Sequence, residues 1–203
     1  MFATAYYRNV KNVVNRVNTV YNDTILNRIY SNVGDAKTIG LELGAEIKPT
    51  KNWNNFIGAN IYNYKIDGEF DDQPIHSEAT QYSINFNSTY SFWENASLQF
   101  TFNYLSERVT AQGEDSRFYS PNLTFQKSFL NNRLTATLQW QNIDMGLLDT
   151  NEQRITTYRP NDFYTTTNYI YEVDMVLLNL SYTFKNGKNK SKFINSEFGK
   201  NEF

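Results

Sequence analysis

The sequence predicts an all-β fold: an antiparallel up-and-down meander of about eight strands, each with one apolar and one polar face. Three observations predict it. The stretch Thr38 to Lys48 alternates strictly, with Ile39, Leu41, Leu43, Ala45 and Ile47 on one side. Thr38, Gly40, Glu42, Gly44, Glu46 and Lys48 fall on the other. A period of two belongs to a strand whose faces meet different surroundings. The pattern then recurs along the chain and stops at Phe184, and the connections between repeats alternate short and long.

Taken in order, residues 1 to 14 form a looser first strand carrying Tyr6, Tyr7, Val10, Val13 and Val14. Residues 15 to 27 are polar and read as an extended loop or strand tops. Residues 29 to 47 follow, interrupted at Val33-Gly34-Asp35 by a bulge or a turn. Pro49 to Asn54 make a short turn. Residues 56 to 66 form a strand with apolar residues on both faces, which a register change near Asn60 would reconcile. Residues 67 to 77, DGEFDDQPIHS, form an acidic loop.

The pattern then sharpens. Tyr82, Ile84, Phe86, Tyr90 and Phe92 alternate with Ser83, Asn85, Asn87, Thr89 and Ser91. After a tiny turn, Leu98, Phe100, Phe102 and Tyr104 alternate with Gln99, Thr101 and Asn103, and residues 107 to 116 loop out. Tyr119, Leu123, Phe125 and Phe129 mark the next strand; Leu134, Ala136, Leu138 and Trp140 the one after a short turn. Residues 144 to 168 form the largest loop. The last strand runs from 169 to 184, and residues 185 to 203 are a polar tail.

Composition narrows the class. At 203 residues the chain suits one all-β domain. Cysteine is absent, so disulfides and thiolate metal sites are excluded. A net charge of −2 gives no field that would attract nucleic acid. No run of about 18 apolar residues exists, so no helix crosses a bilayer. Mean hydropathy is −0.61, which a transmembrane barrel tolerates because its strands average apolar with polar. The first residues lack the charged, apolar and small-residue regions of a secretory signal, so the sequence is expected to be a mature piece or a fragment.

The polar faces decide between lipid and a soluble core. They carry Ser, Thr, Asn and Gln with few charges, whereas the outer face of a soluble sheet is charge-rich. Large aromatics collect at strand ends: Trp53, Phe92, Trp93, Phe129 and Phe184 near the short turns, Tyr64, Tyr104, Tyr119 and Tyr169 toward the loops. Two aromatic levels with short turns on one side and long loops on the other describe a transmembrane β-barrel. A soluble ligand-binding barrel is the bland rival, and it would put Phe100, Leu138 and Leu178 inside.

Asn32-Val33-Gly34, Thr38-Ile39-Gly40-Leu41-Glu42-Leu43 and the closing Leu180-Ser181-Tyr182-Thr183-Phe184 resemble the C-terminal end of a TonB-dependent outer-membrane receptor of the type common in Bacteroidota. Phe198-Gly199 and Glu202-Phe203 resemble that group's extension beyond the barrel. The resemblance covers essentially the whole chain. It implies the last strands of a plugged barrel of about 22 strands, in the outer membrane of a Gram-negative cell. The activity implied is uptake of a siderophore, cobalamin or glycan. The implied partners are the lipid bilayer, an N-terminal barrel portion and plug, the TonB complex through that plug, and the outer-membrane assembly machinery. Leu178 departs from the pattern, standing where a glycine is often found. A self-contained eight-stranded structural or adhesive barrel is the other membrane reading.

Candidate chemistry is sparse. Glu42 and Glu46 share the polar face and are expected to look into the barrel interior. Glu69, Asp71 and Asp72 fit no calcium loop. His76 is the lone histidine, so neither a metal site nor a nucleophile–base pair can be built, and no cofactor or enzymatic activity is expected. Asn87-Ser88-Thr89 matches a glycosylation pattern but lies mid-strand. Lys185, Lys188, Lys190 and Lys192 in the tail suit anionic surfaces. Tyr158, Phe163 and Tyr164 in the largest loop are the candidates for stacking on a ligand.

Overall fold

The computed structural model describes residues 1–22, 25–146 and 152–184. Fourteen strands and no helix make up the described residues. They are β1 (Phe2–Val10), β2 (Val14–Asn22), β3 (Ile25–Asn32), β4 (Asp35–Thr50), β5 (Trp53–Phe70), β6 (Gln73–Phe92) and β7 (Ala96–Leu105). Then come β8 (Arg108–Thr110), β9 (Gly113–Asp115), β10 (Phe118–Phe129), β11 (Leu134–Gln141), β12 (Glu152–Arg159), β13 (Phe163–Ile170) and β14 (Met175–Tyr182).

Eight of them form one antiparallel sheet in the order β1-β4-β5-β6-β7-β10-β11-β14. The other six form a four-stranded sheet, β13-β12-β9-β8, and a hairpin, β2-β3, inserted in the long connections. The main sheet is open: among the described residues, β1 pairs only with β4 and β14 only with β11.

Register explains the alternation. Antiparallel partners point to the same face, so the sheet can be read row by row. One row runs Trp53, Tyr90, Leu98, Phe125, Leu138 and Leu178 across six strands. The next row runs Asn54, Thr89, Gln99, Thr124, Gln139 and Leu177. The first is apolar throughout and the second polar up to the edge strand. Leu138 is 45% and Leu178 66% exposed, so the apolar rows form an outer surface rather than a sealed centre. That is the arrangement expected of Leu138 and Leu178 facing out, where a soluble ligand-binding barrel would put them inside.

The rows are slanted. A line from Phe2, at the turn end of β1, passes Gly44, Gly58, Asn85 and Asn103 and reaches Ser120, near the loop end of β10. Such stagger is the strand tilt that curls a sheet toward a barrel.

Several expectations change. β4 and β5 stay in register from Asp35↔Asp67 to Ile47↔Asn55, so no register change occurs near Asn60. Instead Tyr62, Tyr64 and Ile66 share the polar face, opposite Gly40, Thr38 and Ala36. Tyr64 therefore does not join an outer aromatic level. The acidic loop at 67–77 is the top of a long hairpin whose tip is Asp71-Asp72, both with positive φ (53° and 57°), as a two-residue hairpin turn of this hand needs. Residues 15–27, read as loop or strand tops, contain most of the β2–β3 hairpin. The last strand begins at Met175, and Tyr169 lies in β13 of the inserted sheet. The misread loops are polar, β-branched strands that lack apolar alternation, whereas the second apolar set on β5 needs no register change because Ile66 and Tyr64 pack in the core at the loop end. The tail at 185–203 lies outside the described residues.

The buried core sits at the loop end on the polar side. Val17, Val33, Ala36, Ile66, Ile75 and Ala111 cluster there, with Val13, Tyr64 and Phe70 against them. Val17 comes from β2 and Ala111 from the β8–β9 turn, so the insertions fold over the polar face of β4, β5 and β6. Close approach depends on glycine. Gly34 has φ +129°, and a Cβ on Gly68 would meet the Val33 carbonyl oxygen at 1.9 Å.

Candidate functional site

The insertions meet above the sheet in a crown of hairpin tips, and polar contacts tie tip to tip beside the apolar core. Gln112, in the β8–β9 turn, receives the Asn18 backbone N–H on its Oε1 at 2.7 Å and donates its Nε2 to the Asn18 carbonyl at 3.2 Å. The side-chain amide thus stands in for one rung of a strand pair. Its own carbonyl accepts the Tyr158 N–H at 2.8 Å. Arg28 Nη2 reaches Thr167 Oγ1 at 3.3 Å, tying β3 to β13.

Arg159 fastens a third pair of tips with two ion pairs. Its Nη2 donates to Asp71 Oδ2 at 2.7 Å and its Nη1 to Asp162 Oδ2 at 3.0 Å. The guanidinium carbon also lies 5.9 Å from the Phe70 ring centroid. The two carboxylates, Asp71 first, hold the Arg159 pKa above its ordinary value. The tip of the β12–β13 hairpin is thereby joined to the tip of β5–β6. Beside it, His76 Nδ1 contacts Asp67 Oδ1 at 2.5 Å, and that hydrogen bond holds the Asp67 carboxyl below its usual value.

A cavity of about 220 Å³ lies where three tips converge. Phe70, Gln73 and Ser77 line it from β5 and β6, Gln112 from the β8–β9 turn, Tyr158 and Arg159 from β12. Of the three aromatic candidates, Tyr158 is on this wall. Tyr164 is directly opposite Tyr158 on the hairpin and 73% exposed, and Phe163 pairs with Arg159; neither lines the cavity.

The remaining candidates sit elsewhere. Glu42 is opposite Thr4 and Asn60, and Glu46 opposite Phe56, both on the polar face and exposed. Glu46 pairs with Lys48 at 2.9 Å. Trp53, Phe92 and Phe129 occupy the apolar face at the turn end. Phe92 is 4.9 Å from Trp93 and 6.0 Å from Phe125, ring centre to ring centre, and Phe184 is 4.8 Å from Tyr182. Trp93 is 80% exposed. At the other level Tyr104 stands opposite Tyr119 and stacks on Tyr82 at 5.7 Å. Among the described residues no group of three His, Cys, Asp or Glu could hold a metal ion.

The crown contacts of Gln112, Arg28 and Arg159 had no signal in the sequence, because each joins residues about 90 or more positions apart. The chain as a whole, in contrast, matches a known family over most of its length. The model of the outer membrane protein beta-barrel family covers residues 1–182. The chain belongs to that family. No curated protein and no solved structure matches it.

For an outer membrane protein of this family, the apolar rows are the lipid side of a barrel wall. The chain is all-β and antiparallel, with its short turns at one end and its crown at the other. Its Trp140 indole donates to Asp174 at 2.9 Å and its Trp53 indole to Ser88 at 2.9 Å. Both rings keep one polar end satisfied while the rest stays apolar, the habit of aromatic residues at a bilayer interface.

Proposed function

We propose that the chain is part of the wall and extracellular crown of a TonB-dependent outer-membrane receptor that takes up a scarce nutrient. The observation that carries this is the open sheet. In hydrocarbon an unpaired backbone group costs several kcal/mol, in round terms, so neither the free edge of β1 nor that of β14 can face lipid. Further strands on both sides complete the wall, as a barrel of about 22 strands would supply. The plug belongs to the same missing portion, and TonB acts through it. Glu42 and Glu46 then line the interior, Trp53, Phe92, Trp93, Phe129 and Phe184 form the girdle on the turn side, and residues 185–203 lie in the periplasm of a Gram-negative cell. No catalysis is assigned. The outer-membrane assembly machinery inserts the whole.

The eight-strand count and slanted rows favour a second reading, in which β1 closes on β14 as a small structural barrel. Sequencing the DNA upstream of the Met1 codon separates the two. The receptor reading expects an in-frame plug and additional strands there. Their absence, together with a disulfide between cysteines placed in β1 and β14 of one chain, would establish the small barrel instead.

A further inference from the structure

We propose that the face of the β2–β3 hairpin turned away from the wall binds a soluble organic phosphate, with the phosphate group held between Arg16 and Arg28. The site stands apart from the uptake reading and belongs to either kind of barrel.

Charge distribution is the first argument. The whole chain carries −2, yet residues 1–34 hold Arg8, Lys11, Arg16 and Arg28 against one acid, Asp23, which lies outside the described residues. The β5–β6 tip is the reverse, with Glu69, Asp71 and Asp72. An anion reaching the crown is therefore steered to β2–β3.

Register is the second. Arg16 stands opposite Tyr30 and Asn18 opposite Arg28, so the two arginines are diagonal neighbours on one face of the hairpin. Diagonal neighbours have backbones about 7–8 Å apart, within reach of long side chains converging on one group. The other face is already used: Val17 lies in the buried core, and Asn15 meets the Tyr64 hydroxyl of β5. Gln112 engages both the N–H and the carbonyl of Asn18, so the residue between the arginines is fixed before a ligand arrives.

The third argument is uncompensated charge. Arg108, Arg154 and Arg159 each lie beside a carboxylate. Among the described residues neither Arg16 nor Arg28 has an ion pair, and the Thr167 hydroxyl that Arg28 reaches is neutral. Two adjacent guanidiniums repel each other until an anion joins them. A phosphate monoester brings nearly two negative charges and three acceptor oxygens, which suit two planar forks. A carboxylate brings one charge. Val20, Leu26 and Tyr30 are exposed on the same face and receive the organic body of the ligand. That face is set away from the lipid-side rows, which favours a dissolved ligand over a lipid headgroup.

The test titrates the full gene product in detergent micelles, at pH 8 and low salt, with phenyl phosphate and with benzoate, followed by calorimetry. Phenyl phosphate is expected to bind, and benzoate at least about tenfold more weakly. Arg16→Gln and Arg28→Gln should each lower the affinity for phenyl phosphate about tenfold or more, the scale of one lost charge-assisted contact. Arg16→Lys should fall between, because it keeps the charge without the fork. Arg133→Gln, which removes the same charge from a turn at the opposite end, should leave binding unchanged. Heat-modifiable migration on gels checks that each variant is folded. Benzoate binding as tightly as phenyl phosphate, affinity unchanged in both glutamine variants, or no binding of phenyl phosphate overturns the proposal. A phospholipid that native mass spectrometry finds on the wild type and on neither glutamine variant gives the site to a lipid headgroup, and that too overturns it.

Discussion

Gly40 shows how much a missing side chain can decide. A Cβ there would lie 2.6 Å from the Tyr6 ring and 2.7 Å from Tyr62 Cβ. The Tyr6 ring can swing away, but the Tyr62 Cβ is fixed to the backbone of β5. Tyr6 and Tyr62 in turn donate to Asn60 and Gln81, both at 3.0 Å. Gly40→Val should therefore overpack the site and cost about 1–3 kcal/mol, read as a lower urea midpoint for folding into micelles. Arg159 makes a different kind of prediction, because Asp71 is 59% exposed and its ion pair is partly screened. Arg159→Ala should leave the main sheet intact and speed proteolytic nicking of the β12–β13 hairpin on the order of fivefold, the factor given by about 1 kcal/mol of local stability. Asp67 supplies a pH dependence. Its folded pKa is lowered, first by the His76 hydrogen bond. The crown stability it contributes is complete above the unfolded value of about 3.9 and is lost as pH falls through the lower folded value. Protease sensitivity of the β5–β6 tip should rise in acid, and Asp67→Asn should flatten that rise.

At the level of the strand, the two faces make opposite predictions for adjacent residues. Leu138 lies in mid-β11 between Phe125 and Leu178 on the apolar face, and Gln139 between Thr124 and Leu177 on the other. Leu138→Arg should cost about 2–4 kcal/mol of folding free energy in liposomes, as an arginine at the bilayer midplane does. Gln139→Arg should cost far less, since the polar face is wet. Cysteines at 100 and 138 should react with a lipid-soluble probe and those at 99 and 139 with a water-soluble one; the reverse pattern would put the faces the wrong way round. The long hairpins extend the same logic beyond the membrane. β5 and β6 remain paired from Trp53↔Tyr90 to Phe70↔Gln73, well past the last apolar row, and there the polar side becomes the floor of the crown core.

For the molecule as a whole, the sequence by itself determined the eight wall strands, their order, their short turns and, on all but the first strand and the one at 56–66, which side is apolar. Period-two alternation of Leu98, Phe100 and Phe102 against Gln99, Thr101 and Asn103 is a local signal, because a strand's own pleat separates its faces. The turn-end aromatics were legible for the same reason. The crown was not. Val17, Ala36, Ile66, Ile75 and Ala111 come together from segments that show no alternation, and the fastenings Asn18–Gln112 and Arg159–Asp71 bridge strands far apart in the chain. Tyr64 illustrates the limit: as sequence it is one more aromatic near a strand end, and only pairing with Thr38 and Ala79 turns it inward. Tertiary structure alone decided the open edges, the inward fold of the insertions and the cavity between the hairpin tips. Each depends on which distant backbones approach one another, and a residue pattern along one strand carries no record of that.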